Sequence, residues 1–270
     1  MALTYGTIWG SWGDEKVETA VSVDLPSPHP LGTRMVLPDG RTFYFARNST
    51  AAVTDAGFIV DGSALVGAHD TDVPATEAHS VGDSTISIEV PTTDLTKNQY
   101  AGGYLIFNDG PGQGEVYRIA SHPAHDASDD NTVIITLDET IRTALTTSSL
   151  CGLVYNPYTD IKLTDGDGTM TTGPLGVTTI PLTASTSLIY YYCWIQTYGI
   201  SSVRQGAQVV VLGDAISVSQ ETNEQGLCER ADHSDESDLQ TIGTAIGVVG
   251  TTGGTLVAGD TTLVMLTIRA

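Results

Sequence analysis

From about residue 80 onward, apolar and polar residues alternate in short runs bounded by Gly, Pro, Asn and Asp, the pattern of half-buried strands. The clearest run is Ser84-Thr85-Ile86-Ser87-Ile88-Glu89-Val90. Residues 103–107 and 115–119 flank Asn108-Asp109-Gly110-Pro111-Gly112-Gln113-Gly114, which predicts a hairpin with a glycine-rich tip. Residues 132–137 and 151–155 predict two more strands, with at most one helical turn over 138–145 between them. Together residues 80–160 predict a small β-barrel or sandwich. After the turn Thr164-Asp165-Gly166-Asp167-Gly168, strand-like runs at 178–182, 188–197, 207–212, 215–218, 241–249 and 263–268 predict a C-terminal β-domain over 161–270. Its last two runs are joined by a Thr251-Thr252-Gly253-Gly254 turn. No segment keeps apolar residues at i, i+3, i+4 and i+7 for the length of a helix, so the chain is all-β.

The N-terminal part is less regular. Residues 31–37 and 41–46 flank Pro38-Asp39-Gly40 and predict a hairpin, whereas 51–65 read as irregular or weakly helical around a turn at Val60-Asp61-Gly62. Residues 31–79 are thus a hairpin and connecting segment, packed with the C-terminal domain. In residues 1–30, Gly6, Gly10, Gly13, Pro26, Pro28 and Pro30 deny regular structure to most of the segment, which predicts an extended arm. Trp9 and Trp12 lie in that arm, and such large apolar faces call for cover, from their own subunit or a neighbour. The expected whole is two small β-barrel or β-sandwich domains with an extended N-terminal arm.

Charge narrows the partners. Thirty-two acidic residues against 11 basic ones give a formal charge of −21 over 270 residues, which repels phosphate backbones and anionic lipid. Acidic density is local only at 126–130 and 232–238, so the charge mainly keeps a repetitive surface soluble. Neither nucleic acid nor membrane is expected as a partner. The first residues lack the basic start and apolar run of a secretory leader, and no stretch reaches the roughly 18 apolar residues of a membrane helix. Assembly in a host cytoplasm is expected. Cys151, Cys193 and Cys228 are odd in number and widely spaced, which predicts buried free thiols.

Candidate chemistry is sparse. Gly110-Pro111-Gly112-Gln113-Gly114 lacks the following helix and the Gly-Lys-Ser/Thr ending of a phosphate loop. Asp165-Gly166-Asp167-Gly168 begins as a calcium loop begins but lacks its remaining ligands. His122, His125 and Asp126 could be drawn together as zinc ligands, although a loop is the simpler reading. No G-x-S-x-G elbow and no H-E-x-x-H helix is present, so no catalytic residue, cofactor or metal is assigned. In the run Tyr190-Tyr191-Tyr192-Cys193-Trp194, strand alternation sends Tyr191 and Cys193 to one face and Tyr190, Tyr192 and Trp194 to the other. Core and interface packing is the simplest use of such a run; a sugar-stacking platform is the alternative.

Three phrases carry a resemblance: Leu31-Gly32-Thr33-Arg34 with Asp39-Gly40-Arg41-Thr42-Phe43-Tyr44-Phe45-Ala46-Arg47, Gly112-Gln113-Gly114 with Tyr117-Arg118-Ile119, and Trp194-Ile195-Gln196-Thr197-Tyr198-Gly199. They resemble virion structural proteins of tailed bacteriophages, notably those of aquatic environments. Ile242-Gly243-Thr244-Ala245 and the final strand add a similarity to capsid decoration proteins. The resemblance implies a non-enzymatic decoration or cement protein on the capsid surface. Its partners would be the major capsid protein and other copies of itself, with a trimer favoured; a tail, neck or fibre role and a carbohydrate-binding module are the alternatives. Trp9, Trp12, Tyr191 and Trp194 are the candidate subunit-interface residues.

Overall fold

The computed structural model of the chain describes residues 6–90, 92–128, 131–165, 172–208, 210–221, 223–231, 240–249 and 260–269. Within them the protein is all-β, with one short 3-10 turn at Asp14–Lys16. The chain divides into two compact units: Ala64–Asn156, and Met1–Ser63 together with Pro157–Ala270. The smaller unit is therefore an insertion in the chain of the larger. The chain leaves and re-enters the larger unit side by side, for Ser63 Oγ donates to the Thr159 carbonyl at 3.2 Å.

The inserted unit is a six-stranded barrel with strands in the order Val73–Pro74, Leu150–Val154, Tyr104–Asp109, Val116–Ser121, Thr132–Leu137, Thr85–Glu89. An antiparallel bridge from Ala75 to Ile88, with Thr76 N–H donating to the Ser87 carbonyl at 2.9 Å, joins the last strand to the first. The ring is thereby nearly closed, which shortens the edge open to pairing with another chain. Alternation then decides the interior: Ile86 and Ile88, Leu105 and Phe107, Tyr117 and Ile119, Val133 and Ile135, Cys151 and Leu153 all point inward to one core. The unit begins at 64 and not at the expected 80, because the strand at Val73–Pro74 is needed to close the ring. The helical turn expected over 138–145 is absent; Leu145 instead bridges to His79.

The larger unit is built on one twelve-stranded sheet whose spine is the 16-residue strand Ile189–Arg204. Along its length it pairs with Thr19–Ser22, Thr42–Arg47, Gly176–Thr178 and Thr261–Thr267. Beyond Thr261–Thr267 the sheet continues through Thr241–Val249 and Ala215–Val218 to Cys228–Arg230. On the other side it runs from Thr42–Arg47 through Arg34–Val36 to Ile8–Trp9. The expected hairpin around Pro38-Asp39-Gly40 is present, with Gly40 N–H donating to the Leu37 carbonyl at 2.9 Å.

Several expectations are corrected here. Ile59–Asp61 is a strand and not a turn, held between Lys162–Leu163 and Gly176–Thr178. Asp61 ends it by accepting the N–H groups of Gly62 and Thr172. The run 207–212 forms no strand among its described residues; its end is a turn in which Asp214 N–H donates to the Val211 carbonyl at 3.1 Å and the Asp214 carboxylate accepts Val211 N–H at 2.8 Å. Residues 6–30 are more ordered than the extended arm expected, holding two short strands paired into the larger sheet and the 3-10 turn. The turns at Gly166-Asp167-Gly168 and Thr251-Thr252-Gly253-Gly254 and the acidic run 232–238 lie outside the described residues.

The barrel predicts a contrast between its two faces. Phe107→Ala should destabilise the inserted unit by about 3–5 kcal/mol, as a large core truncation does. Ile134→Ala, at a side chain 54% exposed, should change it by less than about 0.5 kcal/mol. Urea unfolding followed by circular dichroism reads both, while tryptophan fluorescence reports the larger unit alone because Trp9, Trp12 and Trp194 all lie there.

Candidate functional site

The N-terminal arm is fixed at several points. Ile8–Trp9 runs parallel to Arg34–Val36 at the sheet's edge, and Thr19–Ser22 pairs antiparallel with the start of the long strand. Between them, Thr179 Oγ1 donates to the Glu15 carbonyl at 2.6 Å, and the Glu18 carboxylate accepts from Thr183 N–H and Oγ1 at 2.6 and 2.8 Å. Glu15 is itself buried, accepting Gly13 N–H at 2.8 Å with Arg41 3.7 Å away.

That anchoring sorts the arm's side chains. Strand alternation turns Ile8 onto the core of Met35, Leu37, Phe43 and Phe45 and turns Trp9 out. Trp9 is 80% exposed and Trp12 63%, the latter with the Arg41 guanidinium 5.7 Å from its ring. Among the described residues, only Arg41 is placed over either ring.

The other two interface candidates behave differently. Trp194 is 7% exposed, edge-on to Phe45 at 5.0 Å between centroids and 5.6 Å from His29. Phe45 also stacks on Tyr192 at 5.4 Å. Trp194 is thus a core residue with no face to offer a neighbour, and Tyr191 is half-buried against the arm, paired with Ala20. The alternation expected for this run holds: Tyr192 and Trp194 enter one core, Cys193 and Ile195 another. With Tyr192 and Trp194 interior, those two rings offer no open face for stacking.

The histidines of the barrel are interior too. His122 Nε2 accepts the Tyr100 N–H at 3.0 Å while its Nδ1 lies 2.8 Å from the Pro123 carbonyl, so both ring nitrogens are engaged within the barrel. His125 Nε2 reaches the Val90 carbonyl at 2.9 Å, and His69 Nδ1 the Tyr100 hydroxyl at 2.8 Å. Among the described residues, no group of three or more His, Cys, Asp or Glu is arranged to hold a metal ion. Sequence spacing gave no sign that His69 would join the others, because the barrel, not the chain, brings them to one end. Burial lowers the pKa of His69 and His122 below the ordinary 6.5.

The thiols are separated by packing. Cys151, Cys228 and Cys193 occupy three different cores, and all three are free. Burial pushes Cys151 and Cys228 up to about 12 and Cys193 higher still, which removes thiolate at neutral pH. Among the described residues no helix is long and apolar enough to cross a membrane. No protein-family model, curated protein or solved structure matches the chain.

Two predictions follow from these buried groups. His69 and His122 hold a proton less tightly folded than unfolded, so the unfolded chain takes up protons first as pH falls through 6.5. Barrel stability should be full above that pH and decline below it, read as faster amide exchange of residues 64–156 at pH 5.5 than at 7.5 after intrinsic-rate correction. The native thiols should resist a disulfide reagent at pH 8, and all three should react after denaturation, with no mass change on reduction.

Proposed function

We propose that this protein is a non-enzymatic structural component of a virus particle, a decoration or cement protein that reinforces a capsid through apolar contacts of its N-terminal arm. The observation that carries the reading is the exposure of Trp9, held at a sheet edge by backbone pairing, and of Trp12 in the turn that follows it. A pinned arm keeps the rings from folding back, so their burial awaits a second surface. The virion setting rests on the resemblance of the three sequence phrases, and with it the major capsid protein and neighbouring copies as partners, a trimer as the favoured cluster and the capsid surface as location. A tail, neck or fibre position would use the same arm.

Buried tryptophans at interfaces commonly contribute 2 kcal/mol or more each. Trp9→Ala and Trp12→Ala should therefore each weaken particle binding or self-association about 30-fold. Neither truncation touches a core, so unfolding of the isolated chain should shift by less than about 0.5 kcal/mol. Co-sedimentation with particles and sedimentation equilibrium of the free protein measure the two effects. Unchanged association in the double variant would remove the arm from the interface. Because apolar burial and not charge attraction drives the contact, binding should also hold or strengthen from 50 to 500 mM NaCl.

A further inference from the structure

At the far end of the large sheet, remote in sequence from the arm, the last two strands bring together a group of buried polar side chains. Ala215–Val218 pairs antiparallel with Cys228–Arg230, placing Ser217 directly opposite Glu229. Alternation sends Ile216, Val218 and Cys228 into the core, so Ser217, Ser219 and Glu229 share the other side. The Ser219 hydroxyl lies 2.6 Å from Glu224 Oε2 and 3.2 Å from Glu229 Oε2. One hydroxyl proton cannot serve both carboxylates. The outer oxygens are held as well, Glu224 Oε1 by Ala207 N–H at 2.8 Å and Glu229 Oε1 by Gln220 N–H at 3.1 Å. Backbone donors thus aim the two Oε2 atoms at a common point. Both glutamates are buried, and Gly206 has no Cβ that would block the approach of Glu224.

Two further buried oxygens belong to residues that adjoin Glu229, Ser217 opposite it in the register and Gln220 through its N–H. Ser217 is 2% exposed and its Oγ has no hydrogen-bond partner; Gln220 Oε1 is likewise buried and unpartnered, while its Nε2 donates to the Val218 carbonyl at 3.3 Å. A buried hydroxyl and amide oxygen left unsatisfied next to two carboxylates are unfavourable unless a ligand uses them. Among the described residues the side-chain atoms gathered here are hard oxygens, and such a set suits a divalent cation of the calcium type and not zinc.

We propose that Glu224 and Glu229, with Ser217 and Gln220, bind one calcium ion that ties the edge strand Cys228–Arg230 to the loop after Ala215–Val218. With two carboxylates and neutral oxygens the site is a weak one, in the submillimolar range of about 0.1–1 mM typical of extracellular calcium modules. Calorimetric titration of the intact protein with CaCl2 in 150 mM NaCl tests it. The expected result is one saturable site per chain that MgCl2 fills more weakly, together with a higher melting temperature in calcium than in EDTA. Glu224→Gln and Glu229→Gln should each lower calcium affinity about tenfold or more. Ser217→Ala, which removes one oxygen and keeps the sheet packing, should lower it by a smaller factor and serves if either glutamine variant fails to fold. Absence of saturable binding up to 5 mM calcium would overturn the site. So would unchanged affinity in the variants, which would mean diffuse attraction to a chain of charge −21.

Discussion

The larger unit depends on the strand Ile189–Arg204, because three separate cores are built on it. Tyr192 and Trp194 face the aromatic core under the arm, Cys193 and Ile195 face the core of Val60, Tyr158 and Ile161, and Val203 belongs to the core of the C-terminal strands. Such sharing requires the strand to change partners without breaking. The change comes at Gly199, where φ is +88° and the pairing with Thr42–Arg47 shifts register between Gln196 and Tyr198. A side chain there would meet Arg41 Cγ at 2.9 Å, so both the backbone twist and the close approach select glycine. On one side of this point the strand serves the arm and the hairpin, and on the other the C-terminal strands.

The inserted barrel solves a different problem with the same alternation. Its inward positions are nearly all aliphatic or aromatic, yet it also holds His69, His122 and His125 among backbone groups and the Tyr100 hydroxyl. Neutral imidazoles are suited to this, since each supplies one donor and one acceptor and can close a loop's unmet backbone groups without burying a charge. The same economy makes the unit sensitive to acid, whereas paired carboxylates would make it sensitive only at lower pH. Glu115, held below its ordinary value by Tyr117 and Thr143, is such a carboxylate.

What the sequence made legible follows from the range of its signals. Period-two alternation is local, so the strands at Thr132–Leu137, Ala215–Val218 and Thr241–Val249 were placed at their observed bounds. The turn chemistry of Pro38-Asp39-Gly40 is equally local and marked its hairpin. Barrel closure is not local: the two-residue strand Val73–Pro74 has no pattern of its own and exists because Leu150 and Cys151 lie beside it. The unit boundary at 64 was therefore invisible. The pairing of Ser217 with Glu229 depends on register across two strands, and the gathering of histidines on ring closure. Even in the run 190–194 alternation gave the faces correctly and left their depth unknown, so Trp194 could be read as an interface residue although Phe45 and His29 enclose it.

Charge and exposed aromatics set opposing demands on any assembly this chain enters. A charge of −21 makes two copies repel, but at physiological salt that repulsion is screened beyond about 8 Å, so it acts mainly near contact. Against it, burying Trp9 and Trp12 would remove roughly 150–250 Å² each, and at about 25 cal/mol per Å² the pair could contribute on the order of 8–12 kcal/mol at most. Losses of rotational and translational freedom consume much of that, which leaves a single arm with modest affinity. A lattice changes the arithmetic: once one arm of a cluster has docked, the others bind at high effective concentration, and modest contacts add up to a firm hold. In the proposed capsid role, weak adhesion by each arm, combined with repulsion between free chains, would keep the protein dispersed until a repeating surface presents several sites together.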